Sequence, residues 1–270
     1  MKKKGFLQKN IDIVKAFPKK INISIIYIIF FDLIFFASLV ILPLSWNKLV
    51  MKHPVLAMVD QYGNVANLTL EQIEQITPML GAFLFLLVGS LIALLVLIFL
   101  IYSTTRAVIW AMITKKEFSL KLCKRFALLN LAWLLFFVPA AMLTFIVVAL
   151  LGMISSSARN YALLYIASFI SIVIILIPIT ITFLTYYYFI KENKIFHSIK
   201  EALAIVFRKI RIFLLPFALI TIVLIILSNL FRLAPASLRT GQAYMIISGL
   251  ALLSYIAIVR LYLIAVVEGQ

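Results

Sequence analysis

Six apolar runs, each about twenty or more residues long, constrain this chain more than any other feature because they decide its solvent. They occupy residues about 21–45, 79–105, 127–151, 162–190, 212–231 and 243–267. A helix rising 1.5 Å per residue crosses about 30 Å of hydrocarbon in roughly 20 residues, so every run suffices. The sequence is 65% hydrophobic with a mean hydropathy of +1.18, against roughly 45–50% apolar residues in a soluble domain. One water-soluble core cannot bury that much apolar surface. Hydrocarbon offers no partner for a backbone N–H or C=O, so the runs must be helices. The expected fold is all-α: a polytopic membrane protein, one transmembrane domain over residues 1–270 with six transmembrane helices. The second and fourth runs exceed the minimum and are expected to tilt, kink or emerge on the inner side. Lys2–Lys4 precede the first run as in a signal peptide, but Ile21–Leu42 is about 22 residues long and no A-x-A site follows. That is longer than an h-region, so the run reads as a retained span.

Orientation follows from Lys and Arg. Residues 1–20, 114–125 and 191–211 together carry eighteen of them, whereas the alternate connections carry five. The expectation is a multi-pass protein of the cell membrane with both termini cytoplasmic. A net charge of +16 on a soluble chain would point to nucleic acid, but no nucleic-acid-binding motif is present. Because the cations flank spans, anionic lipid headgroups are the expected partner. Candidate contacts are Lys19, Lys20, Lys121, Lys124, Arg125, Arg208, Lys209 and Arg211. A membrane partner subunit or a second copy is the other class of partner considered.

The basic segments share a pattern. In Phe196–Pro216 the apolar residues Phe196, Ile199, Leu203, Val206, Phe207 and Ile210 recur at steps of three and four, one helical stripe. Lys200, Glu201, Arg208, Lys209 and Arg211 surround them, and the sequence then turns apolar. This reads as a helix lying on the membrane before the chain turns into it. Phe118–Leu129 and Phe6–Phe17 precede other spans in the same way, and Phe6/Phe17, Phe118/Leu129 and Phe196/Phe207 share a separation of eleven. A threefold repeat of interfacial amphipathic helix plus helical hairpin is expected, with units about 1–113, 114–190 and 191–268. The outer loop, about 46–78, contains a turn at Asp60–Asn64 and a capping box at Thr69–Gln72 that opens a short helix stopping near Pro78. Asn67-Leu68-Thr69 matches a glycosylation sequon as well as that helix start.

Three ionisable residues lie within apolar runs: Asp32, Arg106 and Arg260. Arg106 and Arg260 each stand eight residues before a polar boundary, at Thr114 and Glu268, or roughly 12 Å along a helix. Asp32 stands twelve residues past Lys20, roughly 18 Å deep. If spans one and six touch, an Arg side chain bridges that offset. One reading is a candidate intramembrane polar site opening to the cytoplasm. The other has both arginines snorkelling to inner headgroups while Asp32 is paired or protonated.

Pro139, Pro178 and Pro216 interrupt spans. Each frees a carbonyl, which Thr180, Thr182 and Thr185 are placed to re-satisfy near Pro178. Tyr186–Tyr188, Trp110, Trp133, Trp46 and Tyr161 sit near span boundaries, where an aromatic belt is expected. Cys123 reads either as a palmitoylation acceptor or as a small buried hydrophobe. His53 and His197 fall on opposite predicted sides, so no metal site is expected. The sequence holds no nucleophile elbow, no H-E-x-x-H, no phosphate-binding loop and no dinucleotide fingerprint, and only one carboxylate lies deep in a span, so no aspartyl dyad forms. A non-enzymatic protein without a cofactor is expected.

The three lead-in segments Phe6–Phe17, Phe118–Leu129 and Phe196–Phe207, each ahead of a two-span unit, resemble a group of six-span prokaryotic membrane families of unassigned function. The layout is also similar to the membrane domain attached to some glycerophosphoryl diester phosphodiesterases. No soluble catalytic domain is expected within these 270 residues, so the resemblance implies the architecture and no phosphodiesterase chemistry.

Overall fold

The computed structural model describes residues 24–56, 70–157, 161–233, 235 and 241–269. Among the described residues seven helices carry the fold: α1 Ser24–Val50, α2 Leu70–Ile113, α3 Leu120–Ser157, α4 Tyr161–Glu192, α5 Ile195–Arg208, α6 Ile210–Arg232 and α7 Gln242–Glu268. No strand occurs among the described residues. Six of the helices are long and apolar enough to cross a membrane, and α5, with 14 residues, is not. The all-α, six-span reading holds. The Phe6–Phe17 segment, Lys19, Lys20, the Asp60–Asn64 turn and Asn67 lie outside the described residues.

The connection expected over about 46–78 is shorter, because α1 runs on to Val50 and α2 begins at Leu70. Pro78 does not end a short helix there; α2 passes through it. A proline costs one backbone bond, and in apolar surroundings keeping all the other helical bonds outweighs that loss. Just before it, the Thr77 hydroxyl donates to the Ile73 carbonyl over 2.7 Å. Similarly, the lead-in at Phe118–Leu129 is not a separate helix, since α3 is continuous from Leu120 to Ser157. Among the described residues α5 is the lead-in set apart from its span, by Lys209 at φ −117, ψ 29.

Two left-handed residues shape the connections. Lys115 (φ 54) ends α2, where Lys115 N–H bonds the Met112 carbonyl and Lys116 N–H bonds the Ala111 carbonyl. That pair of bonds satisfies carbonyls the helix end leaves open. Asn193 (φ 58) ends α4 with its N–H on the Phe189 carbonyl at 2.7 Å. Asn tolerates this conformation, whereas an ordinary L-residue pays roughly 1–2 kcal/mol for it.

The chain divides into two compact units. One is Asp32–Thr105, most of the α1–α2 hairpin. Its helices are pinned by Trp46 Nε1 donating to Ser90 Oγ at 2.9 Å and by Phe35 against Tyr102. Large apolar side chains such as Phe85, Leu84 and Ile92 are left exposed, a surface suited to lipid and not to water. The other unit combines the chain up to Phe31 with Arg106 onward. Here α4 packs on α3, α5, α6 and α7. Buried side chains gather near the basic ends of the helices: Trp110, Phe126, Tyr186, Phe189, Ile199, Val206, Phe213 and Val266. Aromatic rings dominate that core, with Phe126 5.1 Å from Tyr186 and 5.4 Å from Phe189.

Candidate functional site

Within the larger unit, α5 fixes the basic end. Ser198, Ile199, Ala202 and Val206 are buried, and they share one side of a helix turning 3.6 residues per turn. That side meets α3, α4 and α6. The apolar stripe read from the sequence is thus divided. Ile199 and Val206 serve the protein core, while Phe196 and Phe207 are 72% and 61% exposed. Beside them Lys200, Arg208, Lys209 and Arg211 are exposed, as are Lys121 and Lys124 at the start of α3, with Arg125 partly covered. Cations and large apolar rings side by side suit a headgroup boundary.

Lys116 anchors this end. Its ammonium donates to the Ile190 carbonyl and, at 3.3 Å, to the Lys191 carbonyl, the negative end of α4. His197 Nε2 meets Glu192 Oε2 at 2.9 Å across the α4–α5 turn. Among the described residues no cluster of three metal-ligating side chains forms.

Below the basic end lies a buried polar set. Arg106 is 7% exposed and Arg260 1%, so neither lies along the surface as snorkelling would require. Arg260 is among the largest fully buried side chains, and its guanidinium carbon sits 5.2 Å from the centre of the Phe183 ring, a cation–π separation. Asn130, Thr180, Thr185 and Thr221 are also buried in this unit. The Thr185 and Thr221 hydroxyls have no hydrogen-bond partner among the described residues. Asp32, 1% exposed, is the first residue of the other unit, where Ser103 and Thr105 are buried too. The sequence missed Asn130 and Thr221; their polarity within apolar runs was the available signal.

The threonines near Pro178 do not act as expected. Thr180 donates to the Leu176 carbonyl and Thr182 to the Pro178 carbonyl, both at 2.8 Å, whereas a proline at 178 frees the carbonyl of residue 174. Thr182 also receives Trp133 Nε1 at 3.2 Å. The expected aromatic belt is largely a core: Trp110, Trp133, Tyr186 and Tyr187 are buried, because large rings fill the space where these helices converge. Cys123 is partly buried. No protein-family model, curated protein or solved structure matches the chain.

Proposed function

We propose that the chain is a non-enzymatic, multi-pass protein of the cell membrane, with both termini cytoplasmic, that gathers anionic lipid at its basic end. The observation carrying this is the division of α5. Ile199 and Val206 hold the helix on the bundle, while the exposed Phe196 and Phe207 stand beside exposed Lys200 and Arg208. Rings of that kind enter the headgroup boundary, and cations there gain about 1 kcal/mol each from anionic lipid. The test is the lipid retained by protein purified from mixed phosphatidylglycerol and phosphatidylcholine vesicles. Enrichment of phosphatidylglycerol is expected, with loss when Lys121, Lys124, Arg208, Lys209 and Arg211 are all changed to Gln. Equal retention of the two lipids by the unaltered protein refutes the reading.

A small transporter or channel is the second reading, with a pathway near Asp32, Arg106 and Arg260. It is favoured by the burial of Arg106 and Arg260 and by the unpartnered hydroxyls of Thr185 and Thr221 among the described residues, since buried polar groups in a membrane commonly serve a pathway. Solute flux in sealed liposomes decides between the two.

A further inference from the structure

The middle parts of α6 and α7 do not close on each other. Between them lies an open groove of about 500 Å³ whose wall includes Leu219, Val223, Leu227, Ala251, Ser254 and Tyr255. Small side chains at 251 and 254 leave the space, opposite the aliphatic stripe of α6. The wall is mostly aliphatic, and two of its three hydroxyls are engaged within it: Tyr255 donates to the Ile220 carbonyl and Ser254 to the Leu250 carbonyl, each at 2.8 Å, while the Tyr262 hydroxyl is buried. A groove with so apolar a wall does not hold ordered water and takes apolar guests. Both walls belong to membrane-crossing helices, so the guest is hydrocarbon.

One end of the seam supplies a charge. A smaller cavity of about 120 Å³ lies where Tyr188, Lys209, Ile212, Phe213 and Val267 meet. Lys209 caps the start of α6, eleven residues and about three turns of rise before Ile220. Lys209 stands ten residues before Leu219, or about 15 Å at 1.5 Å per residue, half the hydrocarbon thickness. On α7, the groove begins nearer that end, at Tyr262, six residues before Glu268. An acyl chain entering from the basic end therefore reaches the groove within its own leaflet.

We infer that the α6–α7 seam is a binding site for one anionic phospholipid, its headgroup phosphate at Lys209 and one acyl chain in the groove. This deepens and rests on the proposed gathering of anionic lipid, and it names the place and the pose. Charge complementarity selects the anionic headgroup, and the apolar wall selects the tail.

The experiment uses the full protein in nanodiscs containing phosphatidylglycerol with a photoreactive diazirine near the end of one acyl chain. Crosslinks mapped by mass spectrometry should concentrate on 219–227 and 251–262. Ala251→Trp, which fills the groove, should abolish them. Ser254→Leu is a milder second filling, should the first fail to fold, and should reduce them severalfold. Lys209→Gln should weaken groove labelling about fivefold. The same probe on phosphatidylcholine should label the groove no better than the Lys209→Gln variant labels with phosphatidylglycerol. Labelling spread evenly over lipid-facing α2 and α3 overturns the site. So does groove labelling that is equal for the two lipids. If phosphatidylglycerol is still enriched in the retained lipid while the groove stays unlabelled, the site fails and the broader reading survives. If there is no enrichment at all, both fail.

Discussion

Tyr187 on α4 donates a 2.8 Å hydrogen bond to Glu268 Oε1 at the end of α7, across 81 residues of sequence. The Lys191 ammonium donates to the same phenol oxygen and lies 4.2 Å from the ring centre. Three polar side chains thus tie the last turns of two spans together at the basic end. Tyr187→Phe keeps the buried ring and removes both bonds. A loss of about 0.5–1.5 kcal/mol is expected, measured by denaturant titration in mixed micelles. Glu268→Gln keeps an acceptor and should cost less. If Tyr187→Phe unfolds at the wild-type midpoint, the tie contributes nothing.

Lys115 occupies a left-handed position that suits glycine. Replacing it with Gly relieves roughly 1–2 kcal/mol of backbone strain and returns part of it as greater unfolded-state entropy. A net stabilisation of about 0.5–1 kcal/mol is expected. A lower unfolding midpoint for Lys115→Gly would show that the lysine side chain itself holds the α2–α3 turn.

Val206 and Phe207 are neighbours with opposite surroundings, one fully buried and the other 61% exposed. Val206→Ala opens space in the core and should cost about 1–3 kcal/mol. Phe207→Ala should leave stability within about 0.5 kcal/mol, as exposed substitutions do. Phe207→Trp gives a direct readout: its fluorescence should be quenched by lipids brominated high on the acyl chain and not by aqueous iodide. Iodide quenching would place this side of α5 in water and remove the interfacial role.

Orientation has its own check. With Cys123 changed to Ser, single cysteines at Lys52 and Lys200, both exposed, should react with an impermeant maleimide from opposite sides of intact cells. Lys52→Cys should label from outside and Lys200→Cys only after permeabilisation. Labelling of both from one side contradicts the six-crossing arrangement.

What the sequence made legible was what depends on summed apolarity. The six spans followed from run length, and α5 from the spacing of Ile199, Leu203 and Val206, because both signals are local. Helix continuity was harder. Pro78 and the lead-in before α3 carry the residues of a boundary, yet the helix crosses both, since lipid penalises broken backbone bonding more than a single proline does. Side-chain direction was not legible. Trp110 and Tyr186 look like boundary aromatics until their neighbours are known, and they pack 5.9 Å apart inside the protein. The groove depends on Ala251 and Ser254 facing α6, a pairing between helices that no local pattern encodes.

Arg260 offers the sharpest division between the two functional readings. It is wholly buried and set over Phe183, so its removal exposes both a cavity and whatever the guanidinium balances. Arg260→Ala should cost about 3–5 kcal/mol. Arg260→Lys keeps the charge but is compact and lacks the planar face, so it should recover less than half of that loss. As a lipid-gathering protein, the wild type should leave liposomes as tight to small ions as empty vesicles, and Asp32→Asn and Arg260→Lys should change nothing in that assay. A wild-type flux abolished by Arg260→Lys or Asp32→Asn, in protein still folded by circular dichroism, transfers the function to a pathway through the membrane. The buried arginine would then act on a passing solute and not merely complete a core.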